Sequence, residues 1–254
     1  MFKVNQLEEV FNILEHIPHE NVGIELFVEF HNPEFMEVVN KNMERLNKYK
    51  ISMHGPYYKT EHSSEIGSDS YNISKKYFID TLKLSQKLDS SYIVYHHNNC
   101  KIHDKKVMIK NSKINLEELN KLAKDYNAKI VIENAGVISR QNILFDQEEF
   151  IQICKESNQD VLIDIGHAFA NGWNLEYVIK ELKNKIISYH LHNNDGKKDS
   201  HDSIFYGSFN IDEFLEIYNK YTNKADLVLE YNKDYRKKVN ILIEDIDYIK
   251  SRIK

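Results

Sequence analysis

The sequence predicts an α/β protein, a single-domain (β/α)8 TIM barrel spanning residues 1–254, on three observations. Short apolar runs alternate with longer amphipathic stretches, the pattern of parallel strands covered on both faces by crossover helices. The length, 254 residues, is that of eight such units. Three prolines and no Gly/Ser-rich tract leave no linker between halves. In order, the strands are expected at 22–27 (VGIELF), 51–54 (ISMH), 92–96 (YIVYH), 129–133 (KIVIE), 161–164 (VLID), 186–192 (IISYHLH) and 226–230 (DLVLE), with residues 1–4 (MFKV) as a short eighth at the front. Helical periodicity covers 7–17, 33–49, 73–88, 116–126, 147–156, 175–184, 211–218 and 239–253. Polar stretches at 59–70, 98–115 and 193–203 each follow a strand and are expected as site-face loops. A doubly wound open sheet is the structural alternative.

Composition narrows the function classes. Hydrophobic residues make up 41% and charged residues 29%, which fits neither a disordered nor a membrane-embedded chain. No apolar run approaches the roughly 18 residues of a membrane span, and the start, Met1-Phe2-Lys3-Val4-Asn5, has no signal-peptide core. Cys100 and Cys154 are too few for a disulfide scaffold and fit a reducing, cytoplasmic setting. The net charge of −5 argues against indiscriminate nucleic-acid binding. Only Arg45, Arg140, Arg236 and Arg252 are arginines, so phosphate recognition would fall to lysine, backbone amides or metals.

The informative residues stand at the strand ends. Six apolar runs finish on His54, His96, Glu133, Asp164, His192 and Glu230. In a parallel barrel those ends meet at the face that carries the active site, and imidazole with carboxylate is the donor set of a divalent metal. One such residue alone would be an ordinary solvent-facing end. Two local motifs add donors: Asp164-Ile165-Gly166-His167 at a strand-to-helix turn, and Asp199-Ser200-His201 in the loop after the next strand.

On these motifs the chain resembles endonuclease IV, the type-2 apurinic/apyrimidinic endonucleases, within the xylose-isomerase-like TIM barrels. The resemblance lies in 164–172 (DIGHAFANG), in Glu133-Asn134-Ala135-Gly136 and in 192–207 with its D-x-H-x-S, and runs more loosely from His54 to Glu230. It implies up to three Zn2+ ions. His54, His96 and Glu133 would hold one. Glu133 would bridge to a second, held also by Asp164, His192 and Glu230. His167, Asp199 and His201 would hold the third, and Tyr57 matches a family tyrosine at the site. The chain departs from the pattern where the family has a proline (here His97) and a cysteine (here Gly166), and residues 27–33 offer no arginine to enter a DNA stack. Glu25, in Gly23-Ile24-Glu25-Leu26, looks more like the sugar isomerase and epimerase relatives.

The resemblance implies metal-dependent hydrolysis of a phosphodiester, with DNA containing an abasic site as the partner and Glu133 and Glu230 orienting the attacking water. Lys197, with Lys198, Lys101, Lys105 and Lys106, would meet phosphate, although loop lysines are ordinarily just solvated. The alternative is a sugar or sugar-phosphate isomerase or epimerase. It would use one Mn2+ or Mg2+ at Glu133, Asp164, His192 and Glu230, with the two glutamates moving protons at carbon and His167 on sugar oxygens. A barrel that holds metal without turnover is the third class. Among the other histidines, His190 shares a strand side with His192 and reads as a hydrogen-bonded core residue, and His97 as structural. His16, His19, His31, His62 and His103 read as surface or loop residues.

Overall fold

The structure, a computed structural model, describes residues 4–17 and 19–254. They form two compact units: residues 4–10 with Glu20–Ile132, and residues 11–17 and 19 with Glu133–Lys254.

In the amino-terminal unit the strands β1 (Ile24–Phe27), β2 (Ile51–His54), β3 (Ile93–Tyr95) and β4 (Ile130–Glu133) pair in parallel and in chain order. The register sets Phe27 beside His54, His54 beside Val94 and Tyr95 beside Ile132. A 3-10 turn, Val4–Gln6, leads into α1 (Leu7–Glu15). Residues 1–3 of the expected front strand lie outside the described residues. Between strands come α2 (Phe35–Lys41), α3 (Met43–Leu46), α4 (Asp69–Leu88) and α5 (Lys105–Asp125).

Three expectations are corrected here. The single helix over 33–49 is two, parted at Asn42, whose φ of −104° and ψ of 9° leave the helical basin. The loop expected at 98–115 ends at Asp104, whose side chain accepts the Val107 N–H at 3.1 Å and starts α5 eleven residues before the apolar periodicity becomes visible. That first part of α5 buries Ser112 and Asn115, polar residues that hide its inner face from a hydrophobicity pattern. His62 is buried, not at the surface: its ring lies 5.5 Å from Phe78 and 4.7 Å from Tyr95.

In the carboxy-terminal unit β5 (Asp160–Asp164), β6 (Ile186–Leu191) and β7 (Asp226–Leu229) pair in parallel. The helices are α6 (Gln147–Glu156), α7 (Ile165–Ala170), α8 (Leu175–Leu182), α9 (Ile211–Tyr221) and α10 (Val239–Arg252). The β5–β6 register slips by one residue after Val161, so that Val161 faces Ile186 but Leu162 faces Ser188. That bulge brings His190 level with Asp164. β5 and β6 are buried almost throughout, with Leu162, Ile163, Tyr189 and Leu191 fully enclosed, while β7 is half-buried along its length. No described helix is long and apolar enough to cross a membrane.

Candidate metal centre

Each strand end in the carboxy-terminal unit delivers one or two donors, and local hydrogen bonds aim them. Glu133 closes β4. Its neighbour Asn134 is clamped to the end of β5: its amide donates to the Asp164 carbonyl at 2.9 Å and its carbonyl accepts the Asp164 N–H at 2.7 Å. Asp164 in turn caps α7, accepting the His167 N–H at 2.6 Å. His167 therefore sits one turn above a carboxylate. Its Nδ1 lies 3.3 Å from Glu133 Oε1 and 3.5 Å from Asp164 Oδ2, and its Nε2 lies 3.5 Å from Asp199 Oδ1.

β6 supplies two histidines. His190, still in the ladder, has Nδ1 at 3.1 Å from Glu230, 3.7 Å from Glu133 and 3.9 Å from Asp164. His192, just past the ladder, has Nε2 at 3.0 Å from Asp164 Oδ1 and 3.8 Å from Asp199 Oδ1. The following loop is folded by an antiparallel bridge between Asn193 and Asp202 and by the Asn193 side chain, which donates to the Ile204 and Phe209 carbonyls. The loop returns Asp199 and His201 to the cluster. His201, at a left-handed φ of 51°, donates from Nδ1 to the Glu230 carbonyl at 2.8 Å. Since a carbonyl only accepts, that bond fixes the tautomer and leaves Nε2 as the free donor atom, 3.0 Å from Asp199 Oδ1. Arg140, from a 3-10 turn after β4, grips Asp199 twice, through Oδ2 at 2.8 Å and the carbonyl at 2.9 Å.

The charges shape one another. Burial disfavours the charged form of His167, but the Asp164 and Asp199 carboxylates outweigh it and hold its pKa well above the ordinary imidazole value. Burial opposes His201 in the same way, and Glu230 and Asp199 push it up to about 9. Burial also raises Asp164 and Asp199, yet the neighbouring His167 charge leaves both below the usual carboxylate range. The cluster is a buried pocket of negative potential that calls for positive charge.

A metal fits that demand. Donors each about 2.05 Å from a tetrahedral ion stand roughly 3.3 Å apart, and the donor atoms here are 3.0–3.9 Å apart. Asp199 Oδ1 has three ring nitrogens within 3.8 Å and a hydrogen bond to none. His167 Nδ1 is likewise buried without a hydrogen bond, whereas His192 Nε2 is hydrogen-bonded to Asp164 Oδ2 at 3.1 Å. Atoms gathered at ligand spacing but not at hydrogen-bond angles are what an ion between them would require.

Of the expected site residues, Glu133, Asp164, His167, His192, Asp199, His201 and Glu230 are therefore gathered in one cluster within this unit. His190 belongs to it as well, against the expectation of a core role. In the amino-terminal unit His54 and His96 stand together, ring centroids 4.8 Å apart, with Tyr57 at 6.5 and 5.9 Å from them. His54 Nδ1 donates to the Gly55 carbonyl at 2.8 Å. Glu61, unremarked in the sequence, ties the loops after β2 and β3 together by accepting the Ser63, Asn99 and Cys100 N–H groups at 2.7–2.9 Å. Glu25 is level with Ser52, two residues below the His54 rim, and accepts from the Ser52 and Tyr92 hydroxyls. Lys197 is exposed in a turn whose amides bond to Asp195. Cys100 is an ordinary thiol, pushed up to about 11 by burial and then by Glu61.

The chain is 27% identical over 213 residues to an uncharacterized protein, MJ1614, of Methanocaldococcus jannaschii, covering 76% of this chain and 81% of that one. Among solved structures it is similar to the IOLI protein with a binding zinc atom, at a TM-score of 0.79 and 18% identity over 98% and 94% of the two chains. It is also similar to a D-tagatose 3-epimerase-like protein, at a TM-score of 0.73 and 24% identity over 89% of each. The family model for a xylose isomerase-like TIM barrel matches residues 23–252. That match decides for the barrel over the doubly wound sheet: the chain belongs to the xylose isomerase-like TIM barrels.

Proposed function

We propose that the chain is a metal-dependent isomerase or epimerase of sugars or sugar phosphates. The observation that carries this reading is the surroundings of His190, whose Nδ1 faces Glu230, Glu133 and Asp164 at 3.1–3.9 Å. One imidazole and three carboxylates from separate strand ends make an oxygen-rich donor set suited to Mn2+ or Mg2+. A divalent ion held there would polarise the carbonyl and hydroxyl oxygens of a ketose. Glu133 and Glu230 supply the proton chemistry. One carboxylate takes the proton from the carbon beside the carbonyl, and the other returns a proton to the opposite face, so configuration inverts with no oxidant consumed. Lys197, in the loop after β6, would meet a phosphate. The similarity to a D-tagatose 3-epimerase-like protein supports the same reaction class.

The second reading, phosphodiester hydrolysis at abasic sites in DNA with up to three Zn2+, is favoured by the donors this reaction leaves over: His167, Asp199 and His201. One experiment separates the two. Incubated with Mn2+ and a panel of ketohexoses and their phosphates in D2O, the protein is expected to place deuterium at the carbon beside the carbonyl of at least one of them. No exchange on the panel, together with nicking of a duplex carrying an abasic site, would overturn the isomerase reading in favour of the hydrolase.

A further inference from the structure

We propose that Arg140 anchors a phosphate subsite at the edge of the cluster, so that the substrate is a phosphorylated sugar and not a free one, an inference that rests on the isomerase reading for the sugar part only. Exposure separates Arg140 from its partner. Its side chain is 52% exposed, whereas the Asp199 carboxylate that it pairs with is 3% exposed. An arginine kept only to neutralise a buried carboxylate would be covered with it.

The bonds to Asp199 leave from the two terminal nitrogens: Nη1 donates to Oδ2 at 2.8 Å and Nη2 to the carbonyl at 2.9 Å. A guanidinium carries five N–H donors, so the edge made of Nε–H and an outer Nη–H is left over. No described residue accepts from that edge. Its two parallel donors match two oxygens of a phosphate. The turn that presents Arg140 is braced before any ligand arrives. The Asn142 side chain accepts the Val137 N–H at 2.9 Å, and Asn171 accepts the Ile138 N–H and donates to the Gly136 carbonyl, both at 2.9 Å. Gly136, at a φ of 92°, lets the Asn142 carbonyl come within 2.5 Å of where a Cβ would stand. In the loop that carries Asp199, Lys197 and Lys198 are exposed, and the acid of that turn, Asp195, spends its Oδ1 on their two N–H groups. Donors held in place this way cost a ligand little further ordering.

Calorimetry with sorbitol, its 6-phosphate and gluconate tests the subsite, because these compounds lack the ketose carbonyl and cannot react. The Mn2+-loaded protein is expected to bind sorbitol 6-phosphate tighter than sorbitol or gluconate by about tenfold or more. Arg140→Gln is expected to weaken the phosphate ester by roughly 10- to 100-fold, the weight of hydrogen bonds to a charged group, at the parent's metal content. Should that variant lose metal or fail to fold, Arg140→Lys keeps a cation beside Asp199 without the fork, and about a tenfold loss is expected. An ester affinity that neither variant changes, or a parent that binds the ester no tighter than sorbitol or gluconate, overturns the subsite. Ester binding that needs Arg140, with no deuterium exchange on any ketose, would remove the isomerase reading and leave the subsite standing.

Discussion

Asp164 carries three duties on one carboxylate. Oδ1 caps α7 through the His167 N–H at 2.6 Å, the same oxygen is 3.0 Å from His192, and Oδ2 is 3.5 Å from His167 Nδ1. Glu133 pairs with His167 and His190. Glu133→Gln is expected to lower proton exchange by roughly 10²–10⁴-fold, the usual weight of a general base. Thermal stability should hold, since the change keeps the shape and takes one negative charge from beside Asp164. Full exchange by the Gln variant in D2O would remove Glu133 from the chemistry. His190 is where the sequence misled at this scale. The two-residue alternation places 190 and 192 on one side of the strand, but nothing in the run 186–192 shows that the ladder ends at Leu191. That ending leaves His190 among the carboxylates and releases His192 toward the loop.

At the scale of elements, the seven strand runs were legible because parallel strands buried on both faces are continuous in their hydrophobicity. Their mutual register was not. The slip after Val161 is a property of two strands together, and without it Tyr189 would stand level with Asp164 in place of His190. Helix starts were legible only where apolar residues mark the inner face. α5 begins on a cap and buries Ser112 and Asn115, so its first half reads as loop. The brace from Asn134 to the end of β5 was equally hidden, because Asn134 acts on the main chain of a residue thirty positions away. That brace carries a test. Asn134 and Asp164 are both buried, so Asn134→Ala strands the N–H and C=O of Asp164 away from water. The expected cost is about 2–4 kcal/mol for the two groups. It should appear as a lower midpoint in urea at unchanged slope. An unmoved midpoint would mean that water takes over both bonds.

At the scale of the whole molecule, mild acid acts on stability through the buried histidines. The histidines do not all push the same way. Those among the carboxylates, His167 and His201, have raised pKa values and gain from protonation. His62 does the opposite. It is buried between Phe78 and Tyr95, and burial, helped by the charge of His96 and opposed by Glu61, lowers it to about 4. The folded state therefore keeps His62 neutral while the unfolded chain, with an ordinary pKa near 6.5, takes up a proton. The unfolded state binds more protons throughout the interval from about 6.5 down to about 4, so His62 withdraws stability as pH falls through it. The limiting slope is about 1.4 kcal/mol per pH unit for one group. A phenyl ring has no proton to bind, and although it is larger than imidazole its packing cost does not change with pH. The melting temperature of His62→Phe relative to the parent is accordingly expected to rise as pH falls from about 7.5 toward about 4. Parallel melting curves at every pH would show that His62 is protonated in the folded chain and that its burial between those rings does not hold in solution.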